Sequence, residues 1–314
     1  MFTRRRVKAC VAAAALSLFT VPAFVCARQQ AVPPRNLTVT VTDKKGGLIT
    51  GLTREAFTVL DGGRPSEVVS FAAGDAPATV GLLLDASGSA NVARRGLVKT
   101  ALTRFVKGCN PSDEFFLIAF NNAPQLVQGL TGDPADVLAA LERYMAVRPW
   151  GQTALFDSLY VGLNQAEHGR YVRRAVVLLT DGQDNVSRYT FRELRRQLLE
   201  SGVTVYAVGI LDPNIDSALG YGGRAVLEDL AAASGGRAFF PESERDLNAA
   251  FEDLAAELRN QYVIGFTPSA GAAKKDGWHE VRVRLGGLQT GGKKLKVVAR
   301  TRAGFYDVPP PRRD

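Results

Sequence analysis

Thr79-Val-Gly-Leu-Leu-Leu-Asp85-Ala-Ser87-Gly-Ser89 sets the reading of this 314-residue chain. Val80 to Leu84 is an apolar run too short for a helix, and it ends in a carboxylate and two hydroxyls before a helical pattern begins. Working outward, the same texture recurs. Apolar runs at Phe115 to Phe120, Ala175 to Leu179, Val203 to Val208 and Arg237 to Phe240 alternate with helical spacing at 93–107, 134–146, 154–168, 190–201, 225–234 and 243–260. Runs of this kind are strands buried on both faces, so the pattern predicts an α/β fold. Its sheet is doubly wound and mostly parallel, with helices on both faces.

The flanks read differently. In residues 36–72, Leu37, Val39 and Val41 alternate with Thr38, Thr40 and Thr42, and Phe57 to Leu60 follows after a Gly46-Gly47 turn. Strand rhythm returns in Tyr262 to Phe266, Val281 to Leu285 and Leu295 to Val298. Neither flank can bury an apolar face alone, so the two are expected to pair into one small β-sandwich beside the core. The expected division is a signal peptide at 1–27, an N-terminal β segment at 28–78, the α/β domain at 79–261, a C-terminal β segment at 262–306 and a flexible tail at 307–314.

Residues 1–27 have the parts of a secretory signal: Arg4, Arg5, Arg6 and Lys8, then the apolar stretch Val11 to Val25, then Val25-Cys26-Ala27. This predicts export to the periplasm or the cell surface. Cleavage after Ala27 is favoured over lipidation of Cys26, because Val25 stands where a lipoprotein signal has a small residue. No later segment approaches the roughly 20 uncharged residues of a membrane span. Cys109 then remains alone, which leaves no internal disulfide. Losing the leader lowers the balance of basic to acidic side chains from 39 against 31 to 35 against 31. The remaining excess gathers at Lys293, Lys294, Lys296, Arg300, Arg302, Arg312 and Arg313, without interleaved aromatics. That pattern reads as protection of an exposed strand edge and argues against nucleic-acid binding.

In a parallel sheet, the carboxyl ends of the strands form the ligand rim. Asp85, Ser87 and Ser89 follow the first strand there, and Asp181 follows the strand Ala175 to Leu179. The loop Gly151-Gln152-Thr153 offers another hydroxyl before a helix. Two carboxylates and three hydroxyls form an all-oxygen set that suits one hard divalent cation, Mg²⁺ above all, with Ca²⁺ or Mn²⁺ as alternatives. Each piece alone is also an ordinary helix cap or turn. Asp184 and Asn185 read equally as partners of the ligands or as caps of the next turn. Trp150 admits two readings, a buried anchor for the Thr153 loop, which is favoured, or a contact for a protein partner.

Asp85-x-Ser87-x-Ser89 with Thr153 and Asp181 resembles, in residue type and order, the metal-ion-dependent adhesion site (MIDAS) of von Willebrand factor type A (VWA) domains, over about 79–261. The resemblance implies hydroxyl ligation by Ser87, Ser89 and Thr153, with Asp85 and Asp181 acting directly or through water. It also implies a protein partner whose acidic side chain completes the shell. Val41 to Gly47, Leu52 to Phe57, Asp61-Gly62, Tyr262 to Pro268, Asp276 to His279 and Gly304 to Tyr306 are similar to bacterial secreted proteins of the VWA-related group found often in acidobacteria.

Rival chemistry has little support. Asp85 stands where the nucleophile elbow of an α/β-hydrolase has glycine, and an EF-hand needs Glu where Arg192 stands. Gly220-Tyr-Gly-Gly-Arg224 lacks the Lys-Ser/Thr of a phosphate cradle and reads as a flexible loop. His168 suits a helix C-terminus. The expectation is a binding module and not an enzyme. The two alternatives are a metal-assisted hydrolase on the same rim, and a structural envelope protein whose metal only stabilises the fold.

Overall fold

The computed structural model describes residues 33–88, 95–210, 217–269, 271–287, 289–290, 293–294 and 296–307. The signal segment, Ser89 and the tail beyond Asp307 lie outside the described residues. Among those described, no helix is long and apolar enough to cross a membrane.

Three strands come first in chain order on the N-terminal flank, β1 (Arg35–Asp43), β2 (Phe57–Asp61) and β3 (Arg64–Ser66), followed by β4 (Val68–Ala72). The α/β core then runs β5 (Ala78–Asp85), α1 (Arg95–Gly108), β6 (Glu114–Phe120), β7 (Pro124–Thr131), α2 (Pro134–Met145), α3 (Leu155–Glu167), β8 (Arg173–Thr180), α4 (Phe191–Ser201), β9 (Thr204–Gly209), α5 (Ser217–Ser234), β10 (Ala238–Phe239) and α6 (Glu244–Arg259). Its sheet has the order β10-β9-β8-β5-β6-β7 and is parallel except for β7. Leu82 and Leu84 face the helices α1, α2 and α6, whereas Leu83 faces α3, α4 and α5, so β5 is buried on both sides.

Two features depart from expectation. The edge strand β7 was not anticipated, because Pro124 and Gly129 weaken its strand pattern; an edge strand tolerates both. The helix expected over 225–234 begins at Ser217, so the glycine-rich run 220–224 is helical and not a flexible loop.

The flanks pair as expected. The C-terminal strands are β11 (Tyr262–Phe266), β12 (Trp278–Leu285), β13 (Gln289–Thr290), β14 (Lys293–Lys294), β15 (Val297–Arg300) and β16 (Gly304–Tyr306). One antiparallel sheet has the order β15-β1-β11-β4 and another β16-β12-β2-β3, so each mixes strands from both flanks. Leu37, Val39, Val41, Phe57, Val59, Tyr262, Ile264, Phe266, Val281 and Phe305 form the core of the sandwich.

The threonine face of β1 is not turned to solvent: Thr40 is buried at the seam with the α/β core, close enough to hydrogen-bond the Tyr206 phenol of β9. Arginines complete that seam. Arg173 donates to the carbonyls of Gly74, Ala76 and Gln261. Arg302 is buried and donates to Leu199 and Asn36 carbonyls at 3.3 and 3.1 Å, and Arg300 pairs with buried Glu257 of α6 at 2.6 Å. Arg300 and Arg302 thus join two units of structure, contrary to the reading of this stretch as charge on an exposed edge. Such groups carry a large desolvation cost unless paired, so they fix the geometry of the junction.

His279 on β12 lies between two carboxylates inside the sandwich. Its Nδ1 is 2.8 Å from Asp61 Oδ1 and its Nε2 is 2.9 Å from Asp307 Oδ2, the latter off the hydrogen-bond line. The ring stacks on Phe305 at 4.5 Å. Burial, the largest influence, pulls the imidazole pKa down, but the close contacts and charges of Asp307 and Asp61 outweigh it and hold it above its ordinary 6.5. A raised value means that the fold favours the protonated ring. That stability is complete below pH 6.5 and is lost as pH rises through the folded value. Thermal melts between about pH 5.5 and 8 should therefore fall with pH more steeply in wild type than in His279→Gln; equal slopes would refute this assignment.

Candidate metal site at the carboxyl edge of the sheet

The register of β5 against β8 pairs Leu84 with Leu179, so Asp85 and Thr180 end their strands side by side and Asp181 follows at once. Thr180 Oγ1 donates to Asp85 Oδ2 at 2.6 Å and accepts from Gly182 N at 3.1 Å, which ties both turns together. Asp85 Oδ1 accepts from Ser87 N at 2.9 Å, and Asp181 Oδ1 from Gln183 N at 3.0 Å. Asp181 Oδ2 is buried without a hydrogen-bond partner.

The Thr153 loop is strapped between these turns. Trp150 N donates to Ala86 O at 3.0 Å, and Gly88 N donates to Gly151 O at 2.9 Å. On its other side, Thr153 N donates to Asn185 Oδ1 at 2.8 Å and Asn185 N donates to Thr153 O at 3.0 Å. Asp184 Oδ1 accepts from Phe156 N at 3.1 Å in the first turn of α3. Asp184 and Asn185 therefore hold the Thr153 loop and α3; α4 has its own capping box, from Thr190 and Glu193. Ser87 and Thr153 are buried, at 1% and 2% exposure. Thus Asp85, Ser87, Thr153 and Asp181 sit on three mutually bonded loops of one edge, while Ser89 falls outside the described residues.

Trp150 corrects the favoured reading. Its side chain is 60% exposed, so its backbone and not its ring anchors the loop. Two residues escaped the sequence reading altogether: Asn122 Oδ1 accepts from Gln152 N at 2.6 Å, and Asn121 O accepts from Ala154 N at 2.7 Å. The signal for them was their position directly after β6, at the same edge of the sheet.

The electrostatics fit a cation. Burial, the largest influence, pushes Asp85 up to about 6; hydrogen bonds from Ser87 and Thr180 oppose it, and the nearby Asp181 charge adds to it. Among the described residues, neither aspartate forms a salt bridge. Two close, half-buried carboxylates without a counter-charge, one with a buried, orphaned oxygen, form an anionic oxygen set suited to a hard divalent ion. No cluster of three His, Cys, Asp or Glu side chains that could hold a metal occurs among the described residues, so any ion here would depend on the hydroxyls beside the two carboxylates. The histidines are engaged elsewhere. His168 Nδ1 lies 2.7 Å from Asn164 O at the end of α3, and His279 is in the sandwich.

The strap makes a separable prediction. Asn185→Ala deprives Thr153 N of its acceptor and should lower unfolding stability by about 1–3 kcal/mol. A urea midpoint equal to wild type would show that the bond has no such weight.

A sequence model of the von Willebrand factor type A domain matches residues 80–253. Similar solved structures include a von Willebrand factor type A protein from Catenulispora acidiphila, 14% identical, covering 88% of this chain and 75% of that one, with a TM-score of 0.47. Another is BatB from Bacteroides thetaiotaomicron, 17% identical, covering 58% of this chain and 98% of that one, at 0.46. Proximal thread matrix protein 1 from the mussel byssus, solved with a zinc-occupied MIDAS motif, is 23% identical at 0.49; the match covers 63% of this chain and about half, 49%, of the mussel protein. With more than half of its length matched by the family's sequence model, this chain belongs to the von Willebrand factor type A domain family.

Proposed function

We propose that the chain is an exported binding module that holds one divalent cation, Mg²⁺ in the first instance, at the carboxyl edge of its sheet and through it takes an acidic side chain of a partner protein. The observation that carries this reading is the pair Asp85 and Asp181, half-buried, adjacent and without a salt bridge among the described residues, with Asp181 Oδ2 itself buried and unsatisfied. Asp85, Asp181, Ser87, Thr153 and, by sequence, Ser89 would hold the ion. When bound, the ion supplies a Lewis-acidic position that attracts a carboxylate. The protein's own residues do the rest: Thr180 and Ser87 N orient Asp85, and Asn185 and Asn122 fix the loop that carries Thr153. Trp150, exposed and one residue from Gly151, offers a flat apolar contact beside the ion. The leader at 1–27 supports export.

Saturation at about 100 times the dissociation constant should raise unfolding stability by about 2.7 kcal/mol. Thermal melts should show this rise in wild type and lose it in Asp85→Ala and Asp181→Ala. In chelator both variants should melt at or slightly above wild type, because each removes one of two close, repelling charges. A variant that keeps the full Mg²⁺ shift sinks the metal assignment.

Partner capture from an envelope extract in Mg²⁺, with elution by chelator, tests the second half. A partner so found should lose affinity for Asp85→Ala. Its affinity for Trp150→Ala should weaken by about 2 kcal/mol while the Mg²⁺ melting shift is unchanged. Undiminished binding to Asp85→Ala in Mg²⁺ would leave the ion a purely structural role.

A further inference from the structure

Helix α5 meets the Asp181 turn backbone to backbone. A Cβ on Gly223 would stand 2.3 Å from the Asp181 carbonyl oxygen and 3.3 Å from the Gly182 carbonyl carbon. The contact is reciprocal, since a Cβ on Gly182 would stand 2.4 Å from the Gly223 carbonyl oxygen. Gly182 also has φ +82°, where other residues are strained. By contrast, Gly222 precedes Gly223 on the same helix and has nothing within 4 Å of its Cβ position. Both glycines weaken a helix by about 0.5–1 kcal/mol relative to alanine, yet only Gly223 has a contact that requires the missing side chain.

This contact bears on the carboxylate. Asp181 Oδ1 accepts from Gln183 N, so the side chain is fixed to its own turn and moves with it. Thr180, which orients Asp85, accepts from Gly182 N in that same turn. A side chain at 223 would have to push the turn away by about 1 Å to reach ordinary contact, a displacement large enough to spoil a built site. Mg²⁺ is the ion least tolerant of it, because it demands near-ideal octahedral geometry.

We propose that Gly223 is a positioning residue for the metal site: the direct seating of α5 on Asp181-Gly182 sets where the Asp181 carboxylate stands relative to Asp85, and the turn and the first half of α5 move as one body. This rests on the metal reading given above. The test is calorimetric titration of the full chain with Mg²⁺ alone, in wild type, Gly223→Ala and Gly222→Ala. Gly223→Ala should bind at least about tenfold more weakly, as loss of an outer support of a metal ligand does, and Gly222→Ala should match wild type. Equal affinities for wild type and Gly223→Ala, or an equal loss in both variants, would overturn the proposal. Hydrogen exchange on wild type decides the matter even if Gly223→Ala does not fold: Mg²⁺ should slow amides 222–226 together with 182–185. Protection confined to 182–185 would refute the shared movement. Absence of any heat with wild type would instead remove the metal reading itself, and this proposal with it.

Discussion

Neighbouring parallel strands impose the constraint on which the rest of the molecule depends. Because β5 and β8 lie side by side in the register Leu84 to Leu179, whatever follows them in sequence is delivered to one point, and here that is Asp85 and Asp181. Neither carboxylate finds a salt-bridge partner among the described residues, and burial raises the cost of leaving Asp85 charged. The surrounding hydrogen bonds can be understood as the means of holding these two groups in place: Thr180 bridges the turns, the strap from Trp150 to Thr153 spans them, and Asn185 closes the far side.

The core was legible from residue type alone where strands were buried on both faces. Val80 to Leu84 and Ala175 to Leu179 are apolar at every position, and such runs have no other stable setting in a chain with this spacing. The edge strand β7 was not legible, since one exposed side and a proline at its first position erase the pattern that periodicity reads. The start of α5 was hidden for a different reason. Glycines have low intrinsic helix propensity, and the gain from close backbone packing against Asp181-Gly182 is tertiary and leaves no local signal.

At the rim, the residue types were readable and their supports were not. Asp85, Ser87, Thr153 and Asp181 stand out because oxygen-bearing side chains cluster after strands. Asn121 and Asn122 were passed over because their role runs through a backbone carbonyl in one case and a backbone amide partner in the other. Arg300 and Arg302 illustrate the opposite error. Charge in a late strand suggests solvent, but backbone carbonyls bury Arg302, and Glu257 with the Gly236 carbonyl draws the half-buried Arg300 into the junction.

The mixed sheets of the sandwich also constrain how the chain can be made. β1 and β4 have β11 as their partner, and β2 has β12, so the strands synthesised first cannot complete their ladders until the whole α/β core and Tyr262 onward have followed. Throughout that interval, the segment from Arg35 to Ala72 carries open backbone donors and acceptors and the apolar row of Leu37, Val39 and Val41. Segments of that kind are prone to pair with other chains. A nascent chain of this design therefore depends on the core folding promptly and bringing its two ends together, and on whatever shields the early strands in the meantime.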